Sequence, residues 1–307
     1  MTRTIDVFRG FETGAIQNDQ VFRSMSPQDA LVEITHSSIC GSDKFYLWSP
    51  QVLGHESVGI VYGKPDLERG GLGSAAVWDA KALVPIPDKL SSVEAAPLMC
   101  SRATAWTVLT KYGINPGHRV GILGIGGLGH MAIKLAAAMG YHVIALSGSG
   151  SKREDCMSFG AKELYVASAD ETRGDYLHRV LEYLLELKTV LYIDMEPLDH
   201  LLLCGSVSID YKFVFSTMAT HGTIYPLTVS LAPVPIPMTL MIDNGLRLQG
   251  SLVASSHEIS EMLQFCAKND LVSVIERFPL FNEGVQEAIQ ALNTQSIRYK
   301  AVISTQG

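Results

Sequence analysis

Apolar residues between positions 119 and 139 change their period within a few residues. Val120 to Leu123 form a short unbroken apolar run, Gly124, Gly126, Gly127 and Gly129 punctuate the next few positions, and Met131 to Met139 repeat apolar side chains at helical spacing. The pattern predicts a buried strand, a tight turn and a helix. Glycines in such a turn let the backbone approach a pyrophosphate, which then lies at the positive end of the helix. Gly124, Gly126, Gly127, Leu128 and Gly129 are therefore candidate dinucleotide contacts.

The same reading extends along the chain. Residues 1–39 alternate apolar and polar positions in short runs, notably Ala30 to Thr35, and predict β structure with turns near Gly10, Gly14 and Pro27. Residues 91–112 read as helix, Tyr141 to Ser147 as a strand, Leu198 to Cys204, Ile224 to Val229 and Leu246 to Leu252 as further strands. Three prolines in 231–238 exclude regular helix there. Ile259 to Ala267 and Val285 to Leu292 have helical spacing, and Lys300 to Ser304 reads as a last strand. Leu177, Val180, Leu181, Leu184 and Leu185 fall on one helical face and predict an amphipathic helix within 172–197. Strands alternating with helices indicate an α/β protein with a doubly wound parallel sheet.

Composition narrows the function. The 307 residues carry a formal charge of -7, which argues against a nucleic-acid partner because phosphate binding needs a basic face. No apolar run is long enough for a membrane span, and MTRTIDVFRGF lacks the apolar core of a signal peptide, so a cytoplasmic location is expected. Five cysteines, at 40, 100, 156, 204 and 266, are irregularly spaced and suit a reducing compartment. Metal ligation remains open. Cys40-Gly-Ser-Asp43 and Gly54-His55-Glu56 bring a thiol, an imidazole and two carboxylates into 17 residues. Each alone is ordinarily packed or solvated, but a catalytic zinc takes about three such ligands and leaves one position open.

The combination of CGSD at 40–43, GHE at 54–56, APLMC at 96–100 and the glycine turn resembles the zinc-dependent medium-chain alcohol dehydrogenases, cinnamyl-alcohol-dehydrogenase-like branch. VFRG at 7–10, YPLTVS at 225–230 and NGLRLQGS at 244–251 resemble a fungal-type group within it. The resemblance implies a discontinuous GroES-like, barrel-type catalytic domain, 1–98 and 253–307, around a Rossmann domain at 99–252, with zinc and nicotinamide meeting in the cleft. It assigns the zinc to Cys40, His55 and Cys100, with Glu56 close enough to exchange, and makes Asp43 the residue that orients His55. Ser42 would hydrogen-bond the substrate oxygen, and Thr104 and Ser251 would meet the cofactor. The implied reaction interconverts an aldehyde or ketone and an alcohol, in a homodimer, with zinc polarising the carbonyl and nicotinamide supplying hydride.

Two departures qualify the resemblance. Phe45 stands where many relatives carry a relay histidine, and it cannot transfer a proton. The chain also runs from Gly59 and Val61-Tyr62-Gly63 straight to Gly70-Gly71, without the four-cysteine lobe that holds a structural zinc, so one catalytic zinc is expected. For the cofactor, Ser147 ends the second strand where a carboxylate would bind an adenosine ribose and repel a 2′-phosphate. Ser149, Lys152 and Arg153 come next with hydroxyl and cationic groups, pointing to NADP(H) rather than NAD(H). His200 and Cys204 read as structural. Two alternatives stay open: a zinc-free reductase of an activated double bond or a non-redox cyclase or isomerase, and a non-catalytic NADPH-binding protein.

Overall fold

Residues 2–58, 70–166, 195–205, 209–230 and 232–304 are described by the computed structural model. The short connection at 59–69 and the expected helix around Leu177 to Leu185 lie outside the described residues. The chain divides into two units, one of 1–110 with 252–307 and one of 111–251. The first crossover thus follows Thr110 rather than residue 98, because the helix that begins after Cys100 belongs with the first unit.

In chain order the first unit contributes β1 (Thr2–Gly10), β2 (Ile16–Ser24), β3 (Asp29–Glu33), β4 (His36–Ile39), β5 (Glu56–Ser57), β6 (Ala75–Asp79), α1 (Ser92–Ala95) and α2 (Ser101–Lys111). The second contributes β7 (Arg119–Leu123), α3 (Gly127–Ala138), β8 (His142–Ser147), α4 (Arg153–Ser158), β9 (Glu163–Val166), β10 (Leu198–Leu203), α5 (Tyr211–Ser216), β11 (Met218–Pro226), α6 (Met238–Asp243) and β12 (Arg247–Leu248). The chain then returns to the first unit with α7 (Ser256–Lys268), β13 (Ile275–Pro279), α8 (Asn282–Asn293) and β14 (Lys300–Ser304).

The first unit is built from small sheets, β1-β2, β3-β6 and a four-stranded β13-β14-β4-β5. Strand β14 pairs with β4 from Ala301↔Ile39 to Ser304↔His36, so residues from both ends of the sequence share one sheet. Helix α7 starts with Ser255 and Glu258 in a reciprocal capping box and buries Ile259, Met262, Leu263 and Cys266, an i, i+3, i+4, i+7 stripe. Helix α8 buries Val285, Ala288 and Ile289 against a core that includes Phe8, Ile39, Leu53, Leu72 and Ile303.

The second unit holds a six-stranded parallel sheet, ordered β12-β11-β10-β7-β8-β9. This is the doubly wound order, with its reversal between β7 and β10, where such sheets open a crevice for ligands. Strands β8 and β10 show no in-out alternation: Val143 to Ser147 are all buried, and so is every residue of β10 except Asp199, as in a parallel sheet buried on both faces. The fold is thus a Rossmann-type sheet unit and a separate unit of small β-sheets.

Several boundaries differ from expectation. The helix expected over 91–112 is broken, with α1 passing into a 3-10 turn at Ala96–Leu98 before α2 starts at Ser101. Pro97 has no amide hydrogen to continue the ladder. The strand expected over 224–229 is β11, which begins earlier and ends at Pro226, and the strand expected over 246–252 shortens to β12 at the edge of the sheet. The proline-rich segment stays irregular up to α6.

Candidate functional site

Strand β4 ends at Ile39; Cys40 follows as the N-cap of a 3-10 turn over Gly41–Phe45. Asp43 closes that turn: its amide donates to Cys40 O at 3.1 Å, and its Oδ2 accepts the Cys40 amide at 2.8 Å. The other oxygen, Oδ1, lies 2.8 Å from His55 Nδ1. Asp43 is 2% exposed, so its carboxylate is committed to positioning these two residues. Gly54 makes the bend that presents His55; its φ is +89°, and a Cβ there would meet Leu72 N at 2.6 Å. Strand β5 brings Glu56 beside β4 through the pair Ser38↔Glu56. Cys100 enters from the break between the 3-10 turn and α2, and its carbonyl accepts both the amide and the hydroxyl of Thr104, each at 2.8 Å.

Cys40, His55, Glu56 and Cys100 offer donor atoms that all lie within 4.8 Å of one another. With Nδ1 facing Asp43, the lone pair left to the His55 ring is on Nε2, which is buried and has no hydrogen-bond partner. An orphaned buried ring nitrogen facing two sulfurs is a group set for a cation, and a Cys-His-Cys donor set suits zinc. Cys40, His55, Glu56 and Cys100 are therefore brought together, and Asp43 Oδ1 holds the other ring nitrogen of His55. Ser42 Oγ lies 4.0 Å from Cys40 Sγ.

The electrostatics fit the same use. The hydrogen bond from Cys100 holds Cys40 well below the ordinary thiol value against the effect of burial, helped by Lys300 and His55, and Cys100 is pushed up in turn. One proton is thus easily lost from the pair, and a divalent cation displaces the second. Burial opposes charge on His55, but Asp43 and Cys40 outweigh it and raise its pKa.

Sequence reasoning missed Lys300 and Ser101. Lys300 Nζ lies 2.5 Å from Glu56 Oε2, with the two side chains 3% and 0% exposed, and Ser101 Oγ donates to Glu56 Oε1 at 3.4 Å. The available signal was a lone lysine at the head of the apolar strand KAVIS.

In the second unit, the glycines divide by role. Gly124 has φ +92°, and a Cβ there would meet Gly205 N at 2.4 Å; a Cβ on Gly129 would meet Gly124 O at 2.0 Å. Gly126, which caps α3, faces open space with nothing within 4 Å, while Gly127 and Leu128 form the first turn of α3. This matches a loop in which some glycines close the turn and another admits a ligand. Ser147 ends β8, its Oγ accepts the Ser149 amide at 3.4 Å, and Ser149 Oγ lies 2.9 Å from Ser151 Oγ. Lys152 Nζ donates to Ile125 O at 2.6 Å, joining this segment to the glycine loop. Arg153 Nη2 instead donates to Leu164 O at 3.1 Å on β9. Thr104 lies on α2 of the first unit, and Ser251 is the last residue of the second.

His200 and Cys204 are not joined at a metal site among the described residues. Cys204 is buried, and His200 belongs to a hydrogen-bonded chain. The Asn115 amide donates to His118 Nδ1 at 3.3 Å, so that nitrogen accepts. His200 Nε2, 3.0 Å away, must then donate, and Tyr225 OH donates to His200 Nδ1 at 3.1 Å.

A family model described as zinc-binding dehydrogenase matches residues 127–268. Cinnamyl alcohol dehydrogenase 1 of Ocimum basilicum is 32% identical over 246 residues, 80% of this chain and 63% of that protein. The chain therefore spans less than two thirds of that relative's length. A probable cinnamyl alcohol dehydrogenase of Eucalyptus globulus is 31% identical over 271 residues, 88% of this chain and 70% of that protein. Among solved structures, a cinnamyl alcohol dehydrogenase of Sorghum bicolor superposes with a TM-score of 0.84 at 22% identity, covering 99% of this chain and 98% of the other. The Helicobacter pylori CAD complexed with NADP(H) gives 0.82 at 20% identity, covering 99% of each chain. The two structures share the fold, and the two sequence relatives carry the kinship: the chain belongs to the zinc-binding medium-chain dehydrogenase family, among homologues of the cinnamyl alcohol dehydrogenases.

Proposed function

We propose that the chain interconverts an aldehyde or ketone and an alcohol, with NADP(H) as the hydride carrier and a single zinc at Cys40, His55 and Cys100. The observation that carries this reading is the cluster of donors within 4.8 Å, with His55 Nε2 buried and partnerless among them. When bound, the zinc supplies a Lewis acid for a carbonyl oxygen and the nicotinamide supplies hydride.

The chain's own residues have separate tasks. Asp43 accepts from His55 Nδ1 and so keeps the Nε2 lone pair free for metal. Ser42 Oγ hydrogen-bonds the substrate oxygen and passes its proton outward. Phe45 cannot receive that proton, so water takes it; a bound cofactor would offer a hydroxyl as a further acceptor. The hydroxyls of Ser147, Ser149 and Ser151 with Lys152 form the binding place for a 2′-phosphate, and no carboxylate at the end of β8 opposes it. Arg153, committed to Leu164 O, is the weaker member of this set. A single zinc fits the cysteine count, since only Cys156, Cys204 and Cys266 remain and all three are buried. Motifs shared with a fungal-type group favour a biosynthetic carbonyl reduction.

The test is metal analysis of gently purified chain together with NADPH oxidation on cinnamaldehyde, run in parallel with NADH. About one zinc per chain and oxidation of NADPH in preference to NADH are expected. Nucleotide binding without zinc transfers the reading to a zinc-free reductase or an NADPH-binding protein. Failure to bind nucleotide ends it.

A further inference from the structure

Glu56 differs from the other three members of the metal cluster in how it is held. His55 Nε2 has no hydrogen-bond partner, and the two sulfurs face one another. Both oxygens of Glu56 are engaged by the protein, Oε2 by Lys300 Nζ and Oε1 by Ser101 Oγ. The sheet order β14-β4-β5 explains the pairing: Lys300 and Glu56 stand on the strands flanking β4, which leads directly into Cys40, and reach each other across it. Both are almost completely removed from solvent.

Charge counting shows what this does. A divalent ion with two thiolates and a neutral imidazole is already neutral, and the Glu56 carboxylate with the Lys300 ammonium is neutral by itself. Moving the carboxylate onto the metal would add a negative charge there and leave a buried ammonium without its partner, which is strongly unfavourable. We propose that Lys300, assisted by Ser101, is a positioning residue that holds Glu56 away from the metal, so that the centre keeps three protein ligands and one position open for the substrate oxygen. This rests on the metal-centred function and adds the residues that decide the ligand number.

The experiment uses the full chain loaded with cobalt(II) in place of zinc, whose visible absorption reports coordination, and imidazole as a probe of the open position. In the wild type, imidazole shifts the spectrum. In Lys300→Met the released carboxylate takes the open position, and the apparent imidazole affinity falls by about tenfold or more. Lys300→Arg retains the cation and the wild-type response. The double variant E56Q/K300M, which replaces the ion pair by neutral groups of similar size, regains the wild-type cobalt content and response. A wild-type response in Lys300→Met overturns the inference. Should Lys300→Met fail to fold, the double variant decides: loss of cobalt, or an altered cobalt spectrum before imidazole is added, shows that Glu56 is a resident ligand and overturns it. A wild-type chain that takes up no cobalt overturns both this inference and the metal-centred function.

Discussion

Asp43 touches the backbone of one candidate ligand and the ring of another: Oδ2 accepts the Cys40 amide and Oδ1 faces His55 Nδ1, both at 2.8 Å. One carboxylate thus fixes the spacing of a sulfur and an imidazole that are 15 positions apart along the chain. The substitution Asp43→Asn keeps the shape and removes the charge. It is expected to lower metal affinity by about 10- to 100-fold while leaving the fold intact, as outer partners of a ligating histidine do. Competition with a chelator measures this; unchanged affinity would remove Asp43 from the site.

The two glycine environments predict opposite phenotypes. Gly126→Ala adds a methyl group into open space at φ -123°, so stability should hold while NADPH affinity falls. Gly129→Ala drives a Cβ to 2.0 Å from Gly124 O and should destabilise the second unit by about 2 kcal/mol or more. Urea unfolding and nucleotide titration on both variants separate the two roles. Equal losses of stability would show that Gly126 is there for packing.

Ser147→Asp places a carboxylate at the end of β8. It should accept ribose hydroxyls and repel a 2′-phosphate, shifting the NADPH-to-NADH affinity ratio towards NADH by about tenfold or more. A ratio that does not move would show that the adenosine ribose lies elsewhere.

His200 should impose a pH dependence on stability. Burial, followed by the neighbouring His118, lowers its pKa from 6.5 to about 4. Between these values the unfolded chain binds a proton that the folded chain refuses, so this contribution to stability is full above pH 6.5 and declines as pH falls towards 4. The whole effect is about 3 kcal/mol at most. His200→Gln should flatten that slope in urea melts taken across the window. An undiminished slope would assign the dependence to other groups.

Local patterns carried much of this architecture. The switch from an apolar run to glycines to helical spacing located β7, its turn and α3, because each has its own period and the turn needs residues without a Cβ. The candidate metal cluster was legible in part, because thiol, imidazole and carboxylate occur together in CGSD and GHE, a chemistry that packing alone does not require; Cys100 was added by the resemblance of APLMC. Contacts between distant segments were not legible. Nothing near Lys300 announces that it meets Glu56, 244 positions away, since sheet pairing sets that distance. Arg153 likewise reads as a phosphate ligand by composition, and only the position of β9 turns it to a carbonyl. The chain from His118 through His200 to Tyr225 joins three segments that only the parallel sheet brings side by side.

The pairing of β14 with β4 bears on how the polypeptide is made. A ribosome releases β4 long before β14, so the sheet that the two strands share stays incomplete until Ser304 has emerged. Strands β7 to β12 have all emerged well before then, and the parallel sheet can assemble while the amino-terminal segment is still incomplete. Nascent chains stalled before residue 300 should therefore be protected from proteolysis within 111–166 and remain open to cleavage within 2–58.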